Sequence, residues 1–220
     1  MDRYKIAAIG ASVGGVRALR DFFSQIHPPS NLAFVIVTHL PHEVSASLGI
    51  MLSEITPFAV HILQHDTAPA ADHIYMLPEH LRLTIRQGIL MVRERAEGDD
   101  RCHTIDEFLF SLAEDQKENA IAVILSGIGR DGADGAHMIG ACGGLVLTQD
   151  PQTAQFSSMP QATIDAHGPQ KILSPLKLAK SLVEYLAETS RPVPTLSATS
   201  PSGRPSTFTS VADVMPFCPE

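Results

Sequence analysis

Lys5-Ile6-Ala7-Ala8-Ile9-Gly10-Ala11-Ser12-Val13-Gly14-Gly15-Val16 begins as an unbroken apolar run, ends in glycines, and then changes its hydrophobic period. A short apolar run closed by glycine reads as a buried strand. Val16, Leu19, Phe22, Phe23 and Ile26 then recur near helical spacing, with Arg17, Arg20, Asp21 and Gln25 on the opposite face. Strand, glycine turn and helix together form the repeating unit of a parallel α/β sheet. His27-Pro28-Pro29 stops the helix.

The same rhythm repeats outward from this unit. Leu32 to Val37 is a second continuous run, as expected for a strand covered on both faces. Val44, Leu48, Met51, Leu52 and Ile55 trace a helical face before Pro57, and Ala59 to Leu63 reads as a further strand. The middle differs. Ile74 to Leu77 is apolar, Leu81, Leu83 and Ile85 alternate with Arg82, Thr84 and Arg86, and Ile89 to Val92 returns after Gln87-Gly88, which predicts an antiparallel hairpin at one edge. Thr104 with Glu107 predicts a capping box for a helix through Phe108, Leu109 and Leu112. Ala120 to Leu125 reads as a buried strand, followed by a glycine-rich turn, a helix near Gly135 to Ala141 and a strand at Leu145 to Thr148. Ser174-Pro175 opens a last helix, with Leu178, Leu182, Tyr185 and Leu186 as its apolar stripe.

The expected fold is therefore α/β: a doubly wound three-layer sandwich with a mostly parallel sheet and an antiparallel edge hairpin. One domain is expected over residues 1–189. In residues 190–220, Ser, Thr and Pro make up 16 of 31 positions without apolar periodicity, so that stretch is expected to be a disordered tail or linker.

Composition narrows the function classes. A net charge of −8, no cluster of Lys or Arg and no Trp argue against a nucleic-acid partner. No apolar run approaches the roughly 20 residues that span a bilayer, so no membrane insertion is expected, and the first residues lack a signal-peptide pattern. A cytoplasmic location is expected. Cys102, Cys142 and Cys218 are odd in number and widely spaced, which fits reduced thiols.

Gly10-Ala11-Ser12-Val13-Gly14 fits G-x-S-x-G between a predicted strand and a predicted helix. Such a turn projects a serine hydroxyl at the carboxyl end of the sheet, beside the free N–H groups of a helix start. The second strand ends in Val37-Thr38-His39, and strands of a parallel sheet point the same way, so His39 can approach Ser12. Leu125 to Gly132 follows another buried strand; its glycines can leave N–H groups for an oxyanion, and Asp131 is a candidate orienting carboxylate. Taken singly, each has a plainer reading: Ser12 as a helix cap or part of a phosphate-binding loop, His39 as structural, and Asp131 as an Asp-Gly turn that caps the next helix. Asp165 and His167 would give the order of an ordinary α/β-hydrolase but fall near a helix end. His61, His65, Asp66, His73 and His80 are dense enough to suggest a metal, yet fall on strand, loop and hairpin, where solvated side chains are expected. A dinucleotide site is disfavoured, because G-x-G-x-x-G is absent.

Gly10 to Gly15, His39-Leu40-Pro41 and Gly127-Ile128-Gly129-Arg130-Asp131-Gly132 together resemble the CheB family of chemotaxis protein-glutamate methylesterases. Ile105 to Ala113, Gly143-Gly144, Gln149-Asp150-Pro151 and Met159-Pro160 match further family stretches in order, so the resemblance covers about residues 4 to 188. It implies a triad of Ser12, His39 and Asp131, with the backbone N–H groups of His39 and Ile128 as the oxyanion hole. It also implies methyl-ester hydrolysis on glutamate side chains, deamidation of glutamine by the same path, and neither a metal nor an organic cofactor. The implied partner is a methylated chemoreceptor or similar helical protein. Val13, Thr38 and Ile128 depart from residues common in chemotaxis members, and the sequence looks closer to esterase domains fused to, or associated with, a methyltransferase domain. No receiver domain is expected before Tyr4. Two other readings keep Ser12 without needing its nucleophilicity: a catalytically inert partner-binding module, and a phosphate or nucleotide sensor.

Overall fold

Strand β1 (Lys5–Ala11) shows how the layers arise. Side chains alternate across a strand, and Ile6 and Ala8 join one buried cluster while Ala7 and Ile9 join another on the opposite face. Both faces need a cover, hence the continuous apolar run. The computed structural model describes residues 4–40, 42–96, 103–167 and 169–189. The predicted tail, residues 190–220, lies outside them.

Helix α1 (Gly15–Phe23) follows, then β2 (Leu32–Thr38), α2 (His42–Ile55), β3 (Ala59–Ile62) and β4 (His73–Met76). The hairpin β5 (Leu81–Arg86) and β6 (Ile89–Glu94) leads to α3 (Thr104–Gln116), β7 (Ala120–Ile124), α4 (Ala133–Ala141), β8 (Leu145–Gln149), α5 (Ser158–His167), β9 (Lys171–Leu173) and α6 (Pro175–Thr189). Seven strands form one parallel sheet in the order β3-β4-β2-β1-β7-β8-β9. Phe22, Phe23 and Leu19 of α1, Leu48 and Leu52 of α2, and Leu178 and Leu182 of α6 share one cluster with Phe34 and Val123 of the sheet. Phe108 and Leu112 of α3, Ile139 of α4 and Met159 of α5 share the other with Val35 and Ala122. Each fully buried Phe or Leu contributes roughly 1.5–3 kcal/mol relative to exposure. This is the expected α/β sandwich.

Three local differences have physical causes. The hairpin forms, with Leu83 opposite Val92 and Ile85 opposite Leu90, but it is a separate two-stranded sheet and not an extension of the main one. Its apolar face packs on α3, where Ser111 Oγ accepts the Ile85 N–H at 3.0 Å and Asp115 accepts that of Gly88 at 3.0 Å. Ile74 to Leu77, read with the hairpin from its position in the chain, supplies β4, which inserts in parallel between β3 and β2. The capping box at Thr104 does not form: His103 precedes the helix without a side-chain cap, Glu107 pairs with Arg82, and the first amides of α3 are taken from elsewhere.

The connection after β1 goes to the α1 face and the connection after β7 to the α4 face. Adjacent strands whose connections leave on opposite sides open a crevice at their carboxyl ends, where open α/β sheets bind ligands.

Candidate active site

The sheet register brings two of the predicted residues together. Ala11 pairs with Thr38, so Ser12 and His39 are the next residues along adjacent parallel strands, whose spacing is about 4.8 Å. Both continue the parity of the side chains that face α3 and α4: Ile6, Ala8 and then Ser12; Ala33, Val35, Val37 and then His39. Gly10 also pairs with Ile124, and the Ser12 N–H donates to the Ser126 carbonyl at 3.0 Å. Ser12 is 4% exposed, and among the described residues its hydroxyl has no hydrogen-bond partner.

Asp131 closes the group. Its Oδ2 lies 2.8 Å from His39 Nε2. Nε2 does not meet hydrogen-bond geometry there, so the contact is one of proximity more than of alignment. His39 Nδ1 is therefore the nitrogen left for the serine. Asp131 is buried, and its two oxygens also accept the Ile105 and Asp106 N–H groups at 2.8 Å each. The carboxylate thus caps α3, the helix before β7, and not α4, the helix that follows it. Free N–H groups and the helix dipole favour a negative charge there.

The loop after β7 supplies the remaining parts. Among the described residues, the N–H groups of His39 and Ile128 donate no hydrogen bond, whereas the flanking Gly127 and Gly129 N–H groups go to the Phe156 carbonyl at 3.0 Å and Ser158 Oγ at 3.1 Å. Val13, which follows Ser12 in the chain, and Ile128, which follows Gly127, are exposed apolar side chains. A cavity of about 240 Å³ adjoins His39 and is lined by Thr38, Leu77, Glu79, Arg95 and Thr104 among others. A larger one of about 430 Å³, between α2, β3 and the hairpin, includes neither Ser12 nor His39, so chemistry favours the smaller.

Sequence reasoning missed three supporting residues. Ser126 is fully buried: its Oγ accepts the Phe156 N–H at 3.0 Å, and its own N–H donates to Gln149 Oε1 at 2.8 Å. These bonds brace the turn that carries Ser12. Asp106 is buried beside Asp131, with Oδ1 accepting the Gly135 N–H at 2.7 Å. Burial raises its carboxyl to about 6, against the Gly135 N–H, with the charges of Asp131 and Asp134 adding to the rise. The only signal available beforehand was that Asp106 and Gln149 lie in stretches matching the family.

The other sequence candidates do not converge. His61 and His73 stack on β3 and β4, with Nε2 and Nδ1 2.8 Å apart, while Asp66 accepts from Arg93 and the Val92 N–H. His65 and His80 are exposed. Asp165 is exposed on α5 and accepts from Gln161; the side chain of His167 lies outside the described residues. Atoms of His103, Asp106 and Asp131 do come within 4.8 Å of one another, but both carboxylates already accept backbone N–H groups. We read them as a hydrogen-bonded carboxyl pair and not as a ligand set.

Comparison with known proteins bears on the family and the fold. Residues 7–182 match the family model described as CheB methylesterase. A relative in Burkholderia pseudomallei strain 1710b, named protein-glutamate methylesterase/protein-glutamine glutaminase 2, is 30% identical over 183 residues, covering 82% of this chain and 53% of the relative. A protein-glutamate methylesterase/protein-glutamine glutaminase 1 of Syntrophus aciditrophicus is 25% identical over 183 residues, covering 83% and 52%. The chain thus spans about half the length of the curated relatives it matches. The crystal structure of the Thermotoga maritima CheB methylesterase catalytic domain superposes with a TM-score of 0.74 at 28% identity, over 83% of this chain and 98% of that one. With most of its length matched by the family model and by a solved catalytic domain, this chain belongs to the CheB methylesterase family.

Proposed function

We propose that the chain is a serine hydrolase that removes methyl esters from glutamate side chains of a chemoreceptor or similar helical protein, and deamidates glutamine by the same path. The observation that carries this reading is the contact of the buried Asp131 carboxylate with His39, at a strand end in register with Ser12. Ser12 Oγ attacks the ester carbonyl carbon as its proton passes to His39 Nδ1. The imidazolium is stabilised by Asp131, and the oxyanion by the His39 and Ile128 N–H groups. Collapse breaks the bond to the methoxy oxygen, which takes the proton from His39 and leaves as methanol. Water then attacks the acyl-serine, gives a proton to His39, and a second collapse returns that proton to Ser12 and releases the glutamic acid, which ionises by losing its remaining proton to solvent. With an amide, ammonia leaves instead.

None of these steps calls for a metal or an organic cofactor. Among the described residues no helix is long and apolar enough to cross a membrane. The reading places the enzyme in the cytoplasm, against the methylated segment of its partner, and is compatible with fusion to or association with a methyltransferase domain. The experiment is methanol release from a methylated chemoreceptor fragment, with Ser12→Ala as control. Release by the wild type alone supports the proposal; equal release by the variant, or none by the wild type, rejects it.

A further inference from the structure

Asp106 takes no part in the acyl-transfer steps, yet it is bound to the residues that do. It sits in the first turn of α3, its backbone N–H donates to Asp131 Oδ1, and its own Oδ1 accepts the Gly135 N–H of α4. Gly135 permits that approach: a β-carbon there would stand 2.5 Å from the Leu109 β-carbon and 3.1 Å from the Asp106 α-carbon. Two helix starts and the Asp131 loop therefore meet at one buried carboxyl group. An amide in its place would accept the same N–H without the cost of a charge beside a carboxylate.

We propose that Asp106 is a positioning residue for the triad: it locks the start of α3 to α4 so that the α3 amides hold Asp131 against His39, and its charge reinforces that of Asp131. The inference rests on the serine-hydrolase reading of the site. The groups facing Asp106 are Asp131; Asp134 of α4, paired with Arg130 at 2.8 Å; and His103, whose Nδ1 is 3.9 Å from Oδ2. Around the adjoining cavity of about 440 Å³ lie Arg82, Arg95 and Glu107, with Arg82 bonded to Glu107 and Arg95 to Thr104. His39 stands beyond Asp131. Because burial holds the carboxyl near 6, Asp106 acquires its charge as pH rises through that value, and the field favouring the imidazolium strengthens with it.

The test uses Asp106→Asn and Asp106→Ala in the full chain, reading ester hydrolysis and fluorophosphonate labelling of Ser12 from about pH 5 to 8.5. In D106N the Gly135 contact is kept and the charge is lost. The plateau rate should fall about three- to tenfold at unchanged KM, and the acid limb of both profiles should move to lower pH. D106A, which also loses the acceptor, should fall at least roughly tenfold further. An acid limb in D106N that coincides with the wild type overturns the inference, and D106N decides this even where D106A does not fold. A wild-type Ser12 that resists labelling rejects the serine-hydrolase reading itself and the inference with it, so the two failures are told apart.

Discussion

Gly127 passes over Ser12 so closely that a β-carbon added to Gly127 would stand 2.9 Å from the Ser12 β-carbon and 2.0 Å from the Met159 sulfur. The segment cannot yield easily, because the Gly127 N–H and carbonyl are both bonded, to Phe156 at 3.0 Å and to the Met159 N–H at 3.1 Å. Gly127→Ala should therefore push the loop carrying Ile128 off Ser12. We expect hydrolysis to drop roughly a hundredfold, the scale of losing an oxyanion donor, with a lower melting temperature. A wild-type rate in this variant would show that the loop does not shape the site.

The three triad candidates should separate in their effect on stability. Ser12→Ala removes a hydroxyl without a protein partner, so it should abolish hydrolysis, by roughly a thousandfold or more, and leave the melting temperature near wild type. Asp131→Ala should match that loss of rate and also leave two buried α3 amides unpaired, costing about 1–3 kcal/mol or more. Rate measurements beside urea or thermal unfolding test this. Equal stability of the two variants would mean that Asp131 does not cap α3.

Asp106 gives stability a pH dependence of definite sign. Its folded carboxyl is raised to about 6 from an ordinary value of 3.8, so the native state holds the proton more tightly than the unfolded chain. The stabilisation is present below the unfolded value and is lost as pH rises through about 6. Relative to wild type, Asp106→Asn should therefore gain melting temperature between about pH 4 and pH 7. A difference that stays flat over this range would contradict the raised carboxyl.

These residues also show where the sequence was readable. Ser12 and His39 were visible because each ends a continuous apolar run, and run ends map directly onto strand ends in a buried parallel sheet. The pairing of Asp131 with α3 was not. It joins residues 25 and 26 apart in the chain, and a side chain capping a distant helix leaves no local pattern. The short edge strand β9 was missed for a related reason: its three residues, partly exposed, show neither an apolar run nor alternation. The hairpin was legible from alternation, but alternation reports a half-buried face and not which surface buries it. Here that surface is α3 instead of a sheet edge.

The substrate should be recognised as a protein. Val13, next to Ser12 in the chain, and Ile128, next to the Gly127 that approaches Ser12, are exposed apolar side chains, suited to an apolar surface laid across the strand ends. Remote contacts of that kind lower the barrier only when the partner supplies them. Methanol release from a methylated receptor fragment should therefore exceed release from a methyl-glutamate dipeptide at equal ester concentration. Equal efficiency on the two would point to a small-molecule esterase.

Ser12 and His39 are set side by side by the backbone ladder, each one residue beyond the Ala11 and Thr38 pair. A slip of one residue would carry His39 about 3.3 Å along the strand and turn it to the other face. Repacking the surrounding core changes neither quantity. The site's tolerance to sequence drift is therefore digital in register: apolar positions beneath it can exchange for others of similar volume while the register holds, and a single inserted or deleted residue in either strand erases the catalyst at once.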